Sequence, residues 1–262
     1  MVLGYVILSC GGNTIKMQIR RKTGMKSQEK YLKDLKQWLY DTSNSPLEEM
    51  SEFFSRRLDG YEEHMSVWEK SYKLFAELLP FKCLKILDLG CGTGLELDYI
   101  WKKDPAIEVT GVDLCHSMLG KLSEKHSDRH LVTVCQDYFQ YDIGCEKWDA
   151  VISFESLHHF LPERKRELYG KIYHGLKKDG VFLLGDYIAC CDEEEELLRS
   201  VYLKKRKQSL IPDNHFVHFD IPLTLEHESR LLQDTGFIIA KVLDNPDGVT
   251  IMTAQKGDGA NA

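Results

Sequence analysis

The sequence predicts an α/β fold: a seven-stranded, mostly parallel sheet with helices on both faces, an antiparallel C-terminal hairpin, and helices ahead of the sheet. Three observations predict it. Between residues 85 and 187 short, continuously apolar runs alternate with helical periodicity, the pattern of strands buried on both faces. Between Ser27 and Pro80 the periodicity is helical throughout. After Gly236 two apolar runs are joined by Asn245-Pro-Asp-Gly248, a hairpin turn sequence. With 262 residues, 43% hydrophobic and 29% charged, the chain can bury a substantial core, and the composition excludes fibrous, low-complexity and wholly disordered classes.

The elements follow in order. Val2–Ser9 is apolar and precedes Cys10, but it lacks a basic leading region and is too short for a secretion signal. Residues 1–25 read as a disordered or extraneous extension, with Met25 as an alternative start. From Ser27 to Tyr40 the apolar residues Tyr31, Leu32, Leu35, Trp38 and Leu39 form a helical stripe. The turn Asp41–Pro46 opens a helix over Leu47–Arg57, with Ser45 as cap and Pro46 at the first helical position. Asp59-Gly60 breaks it, and Tyr61–Leu79 is a third helix closed by Pro80. Residues 26–80 thus make an N-terminal helical unit, and 81–256 the sheet domain.

Strands are expected at Lys85–Leu89, Glu108–Val112, Leu131–Cys135, Ala150–Phe154 and Gly180–Tyr187. Helices at Leu95–Lys102, Cys115–Lys125 and Pro162–Leu176 separate them. Residues 192–224 read as an insertion, led by a helix Asp192–Gln208 whose acidic start and basic end match its dipole. A helix Leu225–Asp234, the strands Phe237–Leu243 and Val249–Gln255, and a flexible tail at 257–262 complete the chain.

Charge narrows the partners. The chain carries 34 Lys plus Arg against 41 Asp plus Glu, a net −7. Lys16, Arg20, Arg21, Lys22, Lys26, Lys30, Lys33 and Lys36 face only Glu29 and Asp34 in the first forty residues, so the remaining body is more acidic still. Such a body repels phosphate backbones, which disfavours a nucleic acid partner. No apolar run approaches the ~20 residues of a membrane-spanning helix, so no membrane partner is expected. The eight cysteines show no metal-ligand spacing, and most sit in apolar segments, a usage that fits a reducing cytoplasm.

The densest chemical signal is Ile86-Leu-Asp-Leu-Gly90-Cys-Gly92-Thr-Gly94, which runs from strand through glycine loop to helix. Glycines there let backbone approach a ligand closely, and the helix start offers free N–H donors. Leu95 stands where a GxGxxG fingerprint needs its third glycine, and no P-loop lysine follows. Asp113 ends the next strand, placed to accept from both ribose hydroxyls of an adenosine. Asp137 and Tyr138 follow the third strand, near an adenine. Phe154, Glu155, His158 and His159 follow the fourth. All four stations lie at carboxyl ends of parallel strands, where open α/β sheets bind ligands.

With these motifs, Leu84–Gln255 resembles the class I S-adenosylmethionine-dependent methyltransferases and their Rossmann-like sheet. Leu176-Lys-Lys-Asp-Gly180 is similar to the family's segment before the fifth strand, with Asp179 departing from the usual glycine. The resemblance implies S-adenosyl-L-methionine as cofactor, with Gly90, Gly92 and Gly94 along its methionine part and Asp88, Cys91, Leu114 and Met118 also among the binding residues. Asp113 would hold the ribose, Asp137 and Tyr138 would flank adenine, and Phe154 and Glu155 would line the wall near the methyl. Phe53–Met65 resembles the lid of small-molecule members, with Tyr61 or Met65 over the sulfonium.

Blander readings compete. Asp113 is also a natural helix cap and Asp137 a turn residue. Met65 and Trp68 at helical spacing suit a core. Adjacent His158 and His159 make a poor ligand pair for one ion, so no metal is expected. His215 and His218 are loop histidines that could face substrate.

The expected reaction is in-line methyl transfer to a small-molecule acceptor lodged between the N-terminal helices and the loops after the fourth and fifth strands. A base, where the acceptor needs one, comes from Glu155, His158, His159 or Tyr187. Alternatives stay open: a tRNA or protein methyltransferase, a non-catalytic S-adenosylmethionine sensor, a nicotinamide dehydrogenase, or thiol chemistry of the kind some arsenic-methylating enzymes perform. Nothing in the sequence speaks to oligomeric state.

Overall fold

The computed structural model describes residues 27–245 and 247–257 with their side chains, and for 4–10, 13–19 and 24–26 the course of the backbone alone. The tail at 258–262 lies outside the described residues. Gly4–Cys10 (β1) and Asn13–Ile19 (β2) pair antiparallel as a separate two-stranded sheet, where the sequence reading expected an extension without regular structure. The runs contain Tyr5, Val6 and Ile7 on one side and Thr14, Ile15 and Ile19 on the other of Gly11-Gly12, a sequence that favours a hairpin.

Helix Gly24–Asp41 (α1) follows, its apolar stripe buried as the periodicity requires. The second helix starts later than expected. Glu48–Glu49 (β3) forms a short strand, and helix Met50–Arg56 (α2) begins after it, with the Glu49 carboxylate accepting from the Glu52 N–H. The reason is tertiary. β3 pairs antiparallel with Val217–His218 (β9), and Met50 N donates to Phe216 O, so Ser45 and Pro46 stay in the preceding turn. The third helix is divided into Tyr61–Met65 (α3), a 3₁₀ turn Ser66–Trp68, and Glu69–Leu78 (α4). Asp247 pins the division: it accepts from the Trp68 indole through its carbonyl and from Ser71 through its carboxylate.

The sheet domain alternates Lys85–Leu89 (β4), Leu97–Lys103 (α5), Glu108–Asp113 (β5), His116–Lys125 (α6), Leu131–Cys135 (β6), Trp148–Phe154 (β7), Pro162–Gly175 (α7) and Leu176–Tyr187 (β8). Asp192–Gln208 (α8), the short β9, Leu225–Asp234 (α9), Phe237–Asp244 (β10) and Val249–Lys256 (β11) complete it. The seven strands stand in the order β10-β11-β8-β7-β4-β5-β6, and β11 alone runs against its neighbours. The order of connection reverses at β4, which pairs in parallel with β5 on one side and β7 on the other. A crevice therefore opens at the carboxyl ends of β4 and β7, the switch point where such sheets take ligands.

Side chains alternate across the sheet with the period of two that strands impose. Ile86, Val109, Ala150 and Ile152 pack with Phe75, Leu97 and Ile100 of α4 and α5. Leu87, Val112 and Val151 face the other way, toward Leu168, Ile172 and Leu232 of α7 and α9. A third cluster joins α1 to the insertion: Leu35, Trp38 and Leu39 meet Leu198, Val217, Phe219 and Ile221. No helix among the described residues is long and apolar enough to cross a membrane.

Candidate active site

The glycine loop leaves β4 with Gly90 at φ +78°, Gly92 at +49° and Gly94 at +70°. A Cβ on Gly90 would sit 2.1 Å from Ser156 Oγ, so only glycine lets the loop pass beneath the segment after β7. Asp113, at the end of β5, organises the loop from the side. One carboxylate oxygen accepts from Gly92 N at 2.9 Å and the other from Cys115 N at 2.7 Å. Burial raises its pKa while those two N–H groups pull it back down. Each oxygen retains a lone pair for an outside donor. Asp137 makes a local turn bond, Oδ1 accepting from Phe139 N at 2.8 Å. The neighbouring Tyr138 is buried, with its hydroxyl 3.1 Å from Ser156 Oγ.

A trough runs over these groups, lined by Gly90, Gly92, Asp113, Leu114, Met118, Asp137, Tyr138, Phe154 and Glu155. Cys91, Gly94 and Met65 border its extension along the glycine loop. Asp88 does not reach it. Its side chain is fully buried in β4 beneath the loop, and Glu96 lines the trough instead. Burial and then the neighbouring Glu96 push Asp88 well above the ordinary carboxylate range.

The lid lies down on the trough. Met50, Ser51, Phe54 and Tyr61 wall it from above, leaving about 60 Å³ beside the sheet edge and about 20 Å³ along the loop. Ligand clefts usually offer roughly 300–1,000 Å³. The narrowing comes from the lid and not from the sheet: the nearest atom to a Cβ placed on Gly92 is the Tyr61 hydroxyl, 3.8 Å away. Polar clasps hold the lid closed. Lys125 reaches Glu62 at 3.1 Å and Asp98 at 3.3 Å, and Ser55 meets Ser117 at 3.0 Å.

Beside the trough is a larger chamber of about 420 Å³. The lid supplies Phe53, Phe54, Arg57, Tyr61, Met65 and Trp68, and the floor is Glu155, His158, His159, Tyr187, His218 and Asp220. Phe54, Tyr61, Glu155 and His159 border both cavities and so mark their junction. Glu155 adopts φ +50°, a conformation that costs energy for a non-glycine residue, and its N–H donates to Gly185 O at 2.7 Å.

The histidines form one cluster. A 3₁₀ turn over Leu157–His159 keeps the adjacent rings on one side, with centroids 4.1 Å apart. In a regular strand they would point to opposite faces, whereas here both rings come close to Asp220 Oδ1. His158 Nδ1 lies 2.5 Å from Asp186 Oδ1. Burial acts to lower the His158 pKa, but Asp186 and then Asp220 lift it to about 9. His159 is pushed down by burial and by His158. Burial acts to raise Asp220, yet its histidine neighbours bring it to about 2. His218 stacks on Phe53 with centroids 3.6 Å apart, and burial holds it well below the usual histidine range. Tyr187 reaches the chamber, but its hydroxyl donates to Glu194, and burial together with that carboxylate holds its proton on. It is therefore unsuited to act as the base.

A methyltransferase domain family model matches residues 86–180. Carboxy-S-adenosyl-L-methionine synthase of Nautilia profundicola is 23% identical over 215 residues, spanning 74% of this chain and 89% of its own. Phosphoethanolamine N-methyltransferase of Plasmodium falciparum is 28% identical over 144 residues, and the match spans about half of each chain, 55% and 54%. The solved 1,6-didemethyltoxoflavin-N1-methyltransferase of Burkholderia thailandensis shares the fold, with a TM-score of 0.56 at 19% identity over 79% of this chain and 88% of that one. Residues 86–180 thus carry a methyltransferase domain, and the sheet around them has the fold of the S-adenosylmethionine-dependent methyltransferases.

The uncovered glycine backbone and the remaining lone pairs of Asp113 would suit S-adenosylmethionine. Asp113→Ala is expected to weaken S-adenosylhomocysteine binding by about 1–3 kcal/mol, because it removes charged hydrogen bonds and unties the Gly92 and Cys115 N–H groups. Asp113→Asn keeps one acceptor and should fall between; calorimetric titration measures both. Seating a nucleoside requires the lid to lift. Glu62→Gln, which cuts a partly exposed clasp worth up to ~1 kcal/mol, is expected to speed S-adenosylhomocysteine association roughly two- to five-fold in stopped-flow fluorescence.

Sequence reasoning placed Glu155, His158 and His159 but missed Asp186 and Asp220, which close the cluster. His218, read as one loop histidine of two, is part of the floor, whereas His215 is exposed in its loop.

Proposed function

We propose that this enzyme transfers a methyl group to a small molecule held in the 420 Å³ chamber. The observation that carries the reading is the shared border of Phe54, Tyr61, Glu155 and His159, which puts the chamber's contents against the methyl end of the cofactor trough. S-adenosylmethionine supplies an electrophilic sulfonium methyl, so the protein's task is alignment, dryness and a place for one proton. The similarity to a phosphoethanolamine N-methyltransferase and to a 1,6-didemethyltoxoflavin-N1-methyltransferase supports an acceptor of this size.

The chain's own residues divide that task. Gly90 and Gly92 give close backbone approach, and Asp113 sets the depth of the nucleoside. Phe54 and Tyr61 roof the junction and exclude water. Fixing the acceptor in line can supply ~7–11 kcal/mol of the barrier. Glu155 receives the proton of a hydroxyl or ammonium acceptor, held at the junction by its bond to Gly185. The cluster of His158, His159 and Asp220 orients the reacting heteroatom from the floor. A macromolecular acceptor is disfavoured because the lid roofs the chamber and the body is acidic.

Incubation with methyl-labelled S-adenosylmethionine and separated metabolite, tRNA and protein fractions tests the reading. Label is expected in the metabolite fraction, and Glu155→Gln should slow its appearance roughly 10²–10⁴-fold for an acceptor that loses a proton. Label in tRNA or protein would overturn the acceptor class. Cofactor binding with no transfer to any fraction would make the protein a sensor.

A further inference from the structure

The geometry points to a binding site for one divalent transition-metal ion at His158, His159 and Asp220, with its open coordination position turned into the chamber. Resting on the methyl-transfer reading, this deepens it: the acceptor would bind through an oxygen that becomes an oxyanion, an alkoxide, phenolate or enolate.

The distances carry the inference. His158 Nε2 lies 3.6 Å from Asp220 Oδ1, and His159 Nδ1 lies 3.2 Å from the same oxygen. The first is too long for a hydrogen bond. Both are close to the separation of about 3.4 Å between neighbouring ligands that sit ~2.1 Å from a tetrahedral ion. One donor atom from each of the three residues falls within 4.8 Å of the others. His159 Nδ1 also lies 3.3 Å from Phe219 O, a long contact that coordination would exchange for a bond to the ion.

The surroundings fit as well. Asp186 Oδ1 is bonded to His158 Nδ1, which fixes the ring and turns Nε2 toward Asp220. Carboxylates commonly stand behind metal-bound imidazoles in this way. The other oxygen of Asp186 is buried without a hydrogen bond. Among the described residues no lysine or arginine pairs with Asp186 or Asp220, although both are buried. Buried carboxylates balanced by imidazoles alone carry a costly excess of negative charge, which a divalent ion would offset. Two imidazoles and one carboxylate favour zinc, iron(II), cobalt(II) or manganese(II) over calcium or magnesium. An ion here acts as a Lewis acid. The acceptor's O–H bond breaks with its proton passing to Glu155, the oxygen–methyl bond forms, and the sulfonium carbon–sulfur bond breaks with its electron pair returning to sulfur.

The test is titration of chelator-treated protein with zinc(II) by calorimetry and with cobalt(II) by visible absorption. One equivalent is expected to bind. Asp220→Asn and His158→Gln should each weaken binding roughly 100-fold or more, and Asp186→Asn, which touches no ion, roughly 10- to 100-fold. Each variant should bind S-adenosylhomocysteine within about two-fold of the parent, which shows that it is folded. Absence of saturable zinc binding by the parent would overturn the site and leave a protonated His158 bridging two aspartates. Equal binding by parent and variants would also overturn it and place the zinc on other groups, such as the exposed Cys135, Cys145 and Cys190. Loss of S-adenosylhomocysteine binding by the parent would instead sink the methyl-transfer reading, so the two failures are distinct.

Discussion

Gly90→Ala is expected to cost about 2–4 kcal/mol of folding stability in urea titration and to weaken S-adenosylhomocysteine binding by roughly 10- to 100-fold. Two causes add. A Cβ at φ +78° meets the carbonyl crowding that L-residues avoid, worth about 1–2 kcal/mol. The same Cβ would lie 2.1 Å from Ser156 Oγ and 2.6 Å from its Cβ, so the segment after β7 must shift. That shift breaks the Tyr138–Ser156 contact and moves Glu155 away from the junction. Gly60→Ala separates the causes, because Gly60 has φ +79° with nothing within 4 Å of its added Cβ. It should lose only the backbone share and bind the cofactor within a few-fold of the parent. Equal costs at the two glycines would show that the loop does not depend on the close passage at Ser156.

Lys165→Met is expected to lower stability by about 3–5 kcal/mol, a large part of the 5–15 kcal/mol that a typical domain has. Lys165 on α7 is 1% exposed and Glu228 on α9 is 0% exposed. The ammonium donates to one oxygen of Glu228 and the Tyr169 hydroxyl donates to the other. Removing the lysine leaves a carboxylate buried between two helices with one neutral donor. The double variant Lys165→Met/Glu228→Leu removes both charges and should recover most of the loss in urea titration. A single variant as stable as the parent would show that water or another cation reaches Glu228.

The sheet was legible because its strands are continuously apolar and its turns carry glycine, and because Asp113 and the glycine loop are fixed by their places at strand ends. The floor of the chamber was legible only in part. Glu155, His158 and His159 follow β7 and inherit its position, whereas Asp186 stands within the last residues of β8 and Asp220 in an irregular loop after β9. Neither has a local pattern, and both gain meaning only when the chain brings them to the same histidine. The late start of α2 was hidden for a similar reason: Ser45-Pro46 is a sound helix start in isolation, and pairing with Val217–His218 overrides it. Local propensity yields where a distant strand offers hydrogen bonds.

The two-residue ladder between Glu48–Glu49 and Val217–His218 has an evolutionary corollary. It ties the lid to the segment that carries His218 in the chamber floor, so stretches far apart in the chain share one geometry. A chimera that grafts only one of them from a sister enzyme would mismatch at this seam, while exchange of both would carry the acceptor preference across intact. Diversification of such enzymes would then proceed by paired substitution along the seam, with the nucleoside cleft left untouched.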